Sequence, residues 1–291
     1  NLGRAFDTTI NIARLMLSGT LDRFPNLRFV FSHLGGAFFA LKNRLNPAFW
    51  DKRPKGFFDK YKKNIFIGED SVIKPGVVID AEEGPVYIGK NVKVMPNSVI
   101  VGPCFVGDNS IIKIAAKIYE NTSIGEFCKV GGEVEDSIIH SYSNKQHDGF
   151  LGHSYISPWC NLGADTNNSD LKNNYGNIKV IINGKQVDSG KMFVGLTMGD
   201  HSKTSINTMF NTGTVCGVAS NVFGSGFPPK YIPSFAWGGA DSMTTYNLNN
   251  GIEVAKKVMA RRKIEFTEAD KNLLSKVFEL TKNERIENRI P

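Results

Sequence analysis

The sequence predicts a mainly β protein whose central part, from about Ile67 to Phe223, is a parallel β-helix, and two observations carry this prediction. Aliphatic residues recur at every sixth position, and a small side chain often stands four positions after them. The aliphatic residues of the first run are Ile67, Ile73 and Ile79, then, after one shift of register, Ile88, Val94, Ile100, Val106, Ile112, Ile118, Ile124 and Val130. A six-residue period fits neither an amphipathic helix nor an alternating strand, so we expect short strands that turn a corner every six residues.

The six-residue pattern stops near Gly131 and resumes later, so the predicted β-helix domain, residues 66–225, contains an inserted loop region near 131–193. The pattern resumes at Met198, Thr204, Phe210, Cys216 and Val222. The residues between the two runs are rich in Asn, Gly, Asp and His. Long irregular insertions in compact domains are usually functional or disordered, and aromatic residues such as Trp159 favour order here. The inserted region is therefore the first place to look for functional residues.

Two shorter segments flank the predicted β-helix. Residues 1–65 have the pattern of a short α/β fragment, with a helix, a strand and a second helix. Residues 226–291 begin with a proline-containing extended segment and continue with two helices. The first helix is predicted from about Leu248 to Arg262. The second begins after Thr267, which stands where an N-cap residue is expected.

The composition favours anionic partners and gives no sign of a membrane span. The 291 residues carry a formal net charge of +7, which suits phosphate-bearing ligands. The basic cluster between Lys256 and Lys263 lacks interleaved aromatic residues, so we expect no nucleic-acid partner. No run of eighteen apolar residues occurs, so we expect no membrane partner. The four cysteines form no CxxC pair, which is typical of a cytoplasmic protein, and Cys104, Cys128 and Cys216 occupy repeat positions where packing is expected.

Several motifs of the inserted region resemble the acetyltransferase half of GlmU, the bifunctional glucosamine-1-phosphate acetyltransferase and N-acetylglucosamine-1-phosphate uridyltransferase. These motifs are Gly152–Ile156, Asn161–Thr166 and Asn173–Gly176 with Lys179. The chain is still more similar to GlmU-related sugar nucleotidyltransferases of bacteria and archaea, with which it shares Ser143–Gly149 and Gly226–Lys230. The resemblance covers about residues 66–285. It implies that the hexapeptide β-helix is left-handed and that three copies form a homotrimer.

The resemblance also implies an activity and a set of site residues. The activity is acetyl-CoA-dependent N-acetyl transfer to an aminosugar 1-phosphate, glucosamine 1-phosphate or galactosamine 1-phosphate, in nucleotide-sugar biosynthesis. His153 matches the general base, because an imidazole suits proton transfer at neutral pH, and the backbone N–H of Ala164 matches the oxyanion donor. The expected ligands of the sugar phosphate are Tyr155, Asn161, Asn174, Lys179 and Lys145, and those of the cofactor are Lys203 and Lys230.

The chain departs from the GlmU pattern at two points. Tyr155 follows His153 after two residues, where GlmU spaces the pair by three. The basic residues that GlmU places further upstream have no clear counterpart, and Lys145 or Lys203 is the candidate substitute. The identity of the sugar is therefore less securely implied than the type of reaction.

The other histidines have structural interpretations. We expect His140 and His147 to be surface or loop residues, and His201 to be exposed or to line the coenzyme groove. A zinc site is the alternative, because β-helical carbonic anhydrases bind metal through three histidines. The spacing of these residues and His153 does not match that family, so no metal is expected.

Residues 1–65 resemble a fragment of the metal-dependent amidohydrolases related to aminocarboxymuconate-semialdehyde decarboxylase, on the motif Leu21–Gly36 with Arg44. His33 is the only histidine before His140, and the His-x-His ligand pair of that family is absent. We therefore expect a helical cap without a catalytic role, and a metal-dependent hydrolase is the less favoured function. No Gly-rich nucleotide-binding loop is found, so nucleotidyl transfer is not expected. A non-catalytic trimeric remnant of a sugar-1-phosphate nucleotidyltransferase is the main alternative.

Overall fold

The structure, a computed structural model, describes residues 64–182 and 184–291. The amidohydrolase-like fragment that the sequence predicts for residues 1–65, with His33, lies almost entirely outside the described residues. Nearly all of the described strands are two or three residues long, and most of them pair in parallel with a strand one coil earlier or later. This arrangement is the parallel β-helix that the six-residue repeat predicts, and its coils are left-handed.

Each coil contributes strands to three faces, which we call faces A, B and C. Face A is a nine-stranded parallel sheet. Its strands are β1 (Ile65–Ile67), β4 (Val86–Ile88), β7 (Cys104–Val106), β10 (Thr122–Ile124), β13 (Ile138–Ile139), β16 (Tyr155–Ile156), β20 (Thr197–Met198), β23 (Val215–Cys216) and β25 (Tyr231–Ile232). This sheet runs the full length of the described β-helix.

Face B consists of two sheets that Asn161 joins by single bridges to Asn144 and Lys203. Its strands are β2 (Val72–Ile73), β5 (Lys93–Val94), β8 (Ile111–Ile112), β11 (Lys129–Val130), β14 (Asn144–Lys145), β21 (Lys203–Thr204), β24 (Asn221–Val222) and β26 (Ala236–Gly238), and β27 (Met243–Thr245) adds an antiparallel edge. Face C contains β3 (Val78–Asp80), β6 (Val99–Val101), β9 (Lys117–Ile118), β12 (Glu133–Glu135), β15 (Phe150–Gly152), β17 (Asn167–Asn168) and β22 (Met209–Phe210).

The interior is a column of the repeat's aliphatic side chains. Ile88, Val94, Ile100 and Val106 are fully buried, and the same holds for the later members of the first run. The small residues of the repeat fill the corners and tie the coils together. Ser110 Oγ donates to the carbonyl of Gly125 at 2.8 Å and accepts from a backbone N–H of the next coil at 2.9 Å. A larger side chain at such a corner would displace both bonds, which explains the preference for small residues.

Asparagine recurs at the corners because the backbone there takes a left-handed conformation. Asn91, Asn97, Asn109 and Asn121 have φ between 53° and 61°. Asparagine tolerates this region better than most side chains, because its short amide can bond the local backbone. Other corners take the same conformation with less permissive residues, such as Ala115, Phe127 and Trp159, with φ between 55° and 65°.

The inserted loop region predicted near 131–193 is much shorter than expected. Regular coils continue up to Asn168, and only the stretch from there to Phe193 leaves the β-helix. It contains an antiparallel hairpin of β18 (Lys179–Ile182) and β19 (Lys185–Asp188). The repeat is hard to see because Lys145 and Asn168 occupy interior positions where an aliphatic residue is expected. The polar residues at the corners of these coils obscure the period further.

The C-terminal boundary also differs from the prediction. Strands β25 and β26 pair with β23 and β24, so the segment predicted to be merely extended forms one further coil, up to Gly238. Three helices follow, α1 (Leu248–Ala260), α2 (Glu268–Leu280) and α3 (Lys282–Glu287), where two were predicted. Thr267 caps α2 as expected, in a reciprocal capping box with Asp270.

The four cysteines are buried, as the repeat predicts for three of them. Burial raises the pKa of the Cys128 thiol to about 12, so it stays protonated at neutral pH. None of the helices in the described part of the chain is long and apolar enough to cross a membrane.

We expect Ile124→Ala to destabilise the β-helix by about 2–5 kcal/mol, because it leaves a cavity in a column of fully buried side chains. Urea denaturation, followed by circular dichroism, measures the loss. Ile114→Ala is the matched control, since the Ile114 side chain is 59% exposed and its removal leaves no cavity. Equal stability of the two variants would contradict the assignment of the core.

Candidate active site

The predicted site residues, with some neighbours that the sequence does not single out, lie in several places on the β-helix. Two are corners: the C–A corner (Asp136, His153 and Asp170) and the B–C corner (His147 and Ala164). Tyr155 follows the C–A corner on face A. The stretch from Ser169 to Phe193, which leaves the β-helix at this corner and which we call the excursion, carries Asn174 and Lys179, and Lys230 lies near the same edge. Asn161 and Lys203 lie on face B, and Lys145 lies in the interior.

The C–A corner holds His153 between two carboxylates. Its Nδ1 lies 2.8 Å from Asp170 Oδ2, and its Nε2 lies 3.8 Å from Asp136 Oδ2. The ring of Phe193 stacks on the imidazole with 4.9 Å between centroids. In the neutral imidazole, Nδ1–H donates to the Asp170 carboxylate and leaves Nε2 as the acceptor. His153 is therefore held in one orientation and could accept a proton through Nε2.

A third carboxylate joins this corner from face C. One ligand atom each of Glu135, His153 and Asp170 lies within 4.8 Å of the others. Burial, followed by the nearby charge of Asp170, raises the pKa of Glu135. One imidazole with carboxylates is a donor set that suits a divalent transition metal. In the part of the chain that the structure describes, this is the one group of such side chains that could hold a metal ion.

The B–C corner brings His147 directly beside Ala164. Asn144 pairs with Asn161 in adjacent coils, and the same register places residue 147 opposite residue 164. Partners in neighbouring strands lie about 4.8 Å apart. His147 is exposed. The backbone N–H of Ala164 donates to no acceptor among the described residues, so it is free to bind an external oxygen.

Within one chain, His153 and Ala164 therefore do not lie at one place. Residues of neighbouring coils meet when they are separated by about one full coil, as in the pair His153 and Asp170, seventeen residues apart. His153 and Ala164 are closer in sequence and fall on different corners, with the width of face C between them. The expectation that His147 is exposed agrees with the structure.

Lys145 does not face a substrate, contrary to the prediction. Its side chain is 1% exposed, and Nζ donates to the carbonyls of Gly131 at 3.1 Å and His147 at 3.0 Å. Burial lowers the pKa of the ammonium to about 8, although the nearby Asp148 opposes this shift. Lys145 therefore fixes the turn that carries His147 from inside the β-helix.

Asn161 and Lys203 line a cleft of about 350 Å³ between face B and the end of helix α1. Lys203 Nζ donates to the carbonyl of His201 at 2.7 Å. His201 is half-buried and stacks on Trp159, so the alternative in which it is exposed is wrong. Burial, with the nearby Lys203, lowers the pKa of His201 to about 4, and its Nδ1 has no partner among the described residues.

The remaining predicted ligands lie around the C–A edge. Tyr155 is 42% exposed on face A, and Lys179 is exposed on the excursion hairpin. Asn174 lines a groove together with Thr212, whose hydroxyl accepts from Lys230 Nζ at 3.2 Å. These residues share one side of the β-helix without touching Ala164.

Sequence reasoning missed Asp136 and Asp170, the two carboxylates beside His153. The signal that would have found them is the length of one coil. Residues 136, 153 and 170 are equally spaced, and the interval equals the register between the coils on either side of His153. Phe193 gave no such signal, because it reaches the corner from the far end of the excursion.

Two curated proteins are similar to more than half of the chain. It is 31% identical over 163 residues to a bifunctional sugar-1-phosphate nucleotidylyltransferase/acetyltransferase of Sulfurisphaera tokodaii, a match that covers 56% of this chain and 39% of that protein. It is 34% identical over 172 residues to the bifunctional protein GlmU of Methanocaldococcus jannaschii, covering 58% and 40%. The chain thus spans about two fifths of the length of these relatives. The resemblance to GlmU-like proteins is confirmed, and no family model matches the chain.

Solved structures with some likeness to the chain include two sugar-nucleotide enzymes. A UDP-N-acetylglucosamine acyltransferase has 15% identity and a TM-score of 0.33, over 69% of this chain and 74% of that one. A mutant GDP-perosamine N-acetyl transferase of Caulobacter crescentus, in complex with CoA and GDP-perosamine, has 14% identity and a TM-score of 0.23, over 60% and 54%.

We expect the stability of the wild type, relative to Lys145→Met, to rise with pH above 8. Between the folded pKa of about 8 and the ordinary value of 10.5, the unfolded chain holds one proton more at this lysine, so raising the pH favours the folded state. The full effect is about 3 kcal/mol. Urea denaturation at several pH values measures it. Lys93→Met, which removes an exposed lysine of face B, is the control. A difference between wild type and Lys145→Met that stays flat with pH would contradict the burial of the charge.

Proposed function

We propose that the chain is an acetyl-CoA-dependent N-acetyltransferase that acts on an aminosugar 1-phosphate, glucosamine 1-phosphate or galactosamine 1-phosphate. The observation that carries the proposal is the position of exposed His147 beside the free backbone N–H of Ala164. The name of the Sulfurisphaera tokodaii relative includes an acetyltransferase activity, which supports the same class of reaction. We infer the sugar from the GlmU-like motifs.

The reaction needs a base and an oxyanion donor within reach of one carbonyl. The base takes a proton from the sugar amine, whose nitrogen attacks the thioester carbon. A C–N bond forms, the C–S bond breaks, and the coenzyme leaves as its thiol. The carbonyl oxygen carries negative charge in between, and a backbone N–H aimed at it stabilises that charge. Both groups must therefore lie within a few ångströms of the acetyl group.

Within a single chain, His147 meets this requirement and His153 does not. His147 shares the B–C corner with Ala164, and its turn is held by the buried ammonium of Lys145. We therefore propose His147 as the base, with Lys145 as a positioning residue. This choice departs from the assignment that the motif alone implies.

His153 is the second candidate for the base, because Asp170 orients its ring. It could serve Ala164 only if another copy of the chain brought its B–C corner to this C–A corner. The same arrangement would bring Tyr155, Asn174, Lys179 and Lys230 near the acetyl group as ligands of the sugar phosphate. A homotrimer, which the family resemblance implies, would provide such an interface.

Release of the coenzyme A thiol from acetyl-CoA, with each of the two aminosugar phosphates, tests the proposal. We expect turnover by the wild type, and a loss of about 10²–10⁴-fold in kcat for His147→Ala, because a positioned base contributes that much. His140→Ala is the control, since it removes another exposed histidine, from a different corner.

The variant His153→Ala decides between the two corners. A loss confined to His153→Ala would move the base to the C–A corner and require a site shared between copies. Absence of turnover from a folded wild type, with either sugar, would favour the alternative of a non-catalytic scaffold.

A further inference from the structure

The cleft between face B and the end of helix α1 carries an excess of positive charge. It is lined by Lys129, Lys203, Arg261 and Arg262, together with Tyr142, Asn144, Gln146, Trp159, Cys160, Asn161 and Val258. No carboxylate is among these lining residues. The β-helical members of this set come from four successive coils, and the two arginines directly follow α1, so the charges converge although they are far apart in sequence.

The four cations of the cleft lack a compensating charge. Among the described residues, none of them forms an ion pair with a carboxylate. Burial, followed by the charges of Arg262, Lys113 and Arg261, lowers the pKa of Lys129. Like charges held together in a concave surface repel one another, and an anion bound between them would relieve the repulsion.

Two of the four cationic groups, Arg262 and Lys203, are held by hydrogen bonds, and most of their donors remain available. Arg262 Nη2 donates to Asn144 Oδ1 at 2.9 Å, and Lys203 Nζ donates to a backbone carbonyl at 2.7 Å. A guanidinium has five N–H donors and an ammonium has three, so each group keeps several for a ligand. The stacked rings of Tyr142 and Trp159, 4.2 Å between centroids, form a rigid wall beside them. Little side-chain freedom would be lost at these two cations and at the two rings when a ligand binds.

We propose that this cleft is a binding site for an anion that contains a pyrophosphate group, held by Lys129, Lys203, Arg261 and Arg262. Two linked phosphates carry at least two negative charges and offset more of the positive charge of the set than a single carboxylate does. The forked guanidinium groups match the geometry of phosphate oxygens. A cleft of about 350 Å³ has room for a pyrophosphate with part of an attached group.

The position of the cleft is compatible with two sources of this anion. Gln146 lines the cleft and precedes His147, and Asn161 lies just before Ala164, so the cleft opens beside the B–C corner. The pyrophosphate of coenzyme A could occupy it while the acetyl group reaches that corner, an arrangement that rests on the proposed function. A free nucleotide or polyphosphate could occupy it without any acetyl transfer.

Isothermal titration of the full chain with inorganic pyrophosphate, at an ionic strength of about 0.15 M where distant surface charge is screened, tests the site. We expect the double variant Lys129→Gln/Arg261→Gln to bind at least about ten times more weakly than the wild type. The control is Lys256→Gln/Lys257→Gln, which removes two exposed cations of the same helix and gives the same net charge. We expect the control to change the dissociation constant less than about twofold, because diffuse surface charge contributes little at a distance.

Circular dichroism checks that each variant is folded, and Arg261→Gln alone, at an exposed position, replaces the double variant if that one is not. Equal binding by the cleft variant and the control, or no binding by the wild type, would overturn the proposal. Titration with inorganic pyrophosphate in the presence of saturating coenzyme A then identifies which of the two anions occupies the cleft. Competition assigns the cleft to the coenzyme, and simultaneous binding assigns it to a separate anion. The titration requires no turnover, so its result is independent of the acetyltransferase assay.

Discussion

The whole molecule depends on the register between successive coils. Each corner stacks on the corner of the coil before it, because the parallel strands of neighbouring coils are joined by backbone hydrogen bonds along each face. This stacking buries the aliphatic column, and it also decides which polar residues meet. His147 meets Ala164, and His153 meets Asp136 and Asp170, because each pair is one coil apart. The residues of the candidate sites are therefore brought together by the length of one coil and not by closeness in sequence.

Much of the fold could be predicted from the sequence, because one aliphatic side chain per strand is enough to define the period. The prediction failed between residues 131 and 168, where Lys145 and Asn168 replace aliphatic residues in the interior. Their polar atoms find partners inside the coil: Lys145 bonds two carbonyls, and the amide of Asn168 bonds Gly152. A pattern of hydrophobic residues cannot show such substitutions, since they are stabilised by geometry that only the folded chain provides.

The candidate site was predicted only in part. The motifs single out His153 and Ala164, but a motif does not tell which corner of the β-helix each residue occupies. The positions of the basic residues could not be predicted from the sequence either. Lys145 and Lys203 both look like phosphate ligands in the sequence, yet one closes a turn from inside and the other lines a cleft. The cleft itself needs Arg261 and Arg262, which reach face B only because α1 folds back on the β-helix.

We propose that acetyl transfer takes place at the B–C corner, and a crystal structure with a non-cleavable acetyl-CoA analogue tests this most directly. We expect the acetyl oxygen to accept a hydrogen bond from the backbone N–H of Ala164, about 3 Å from the nitrogen. The imidazole of His147 should face the same carbonyl group. An acetyl group bound beside His153 and Asp170, remote from Ala164 of every copy, would contradict the account.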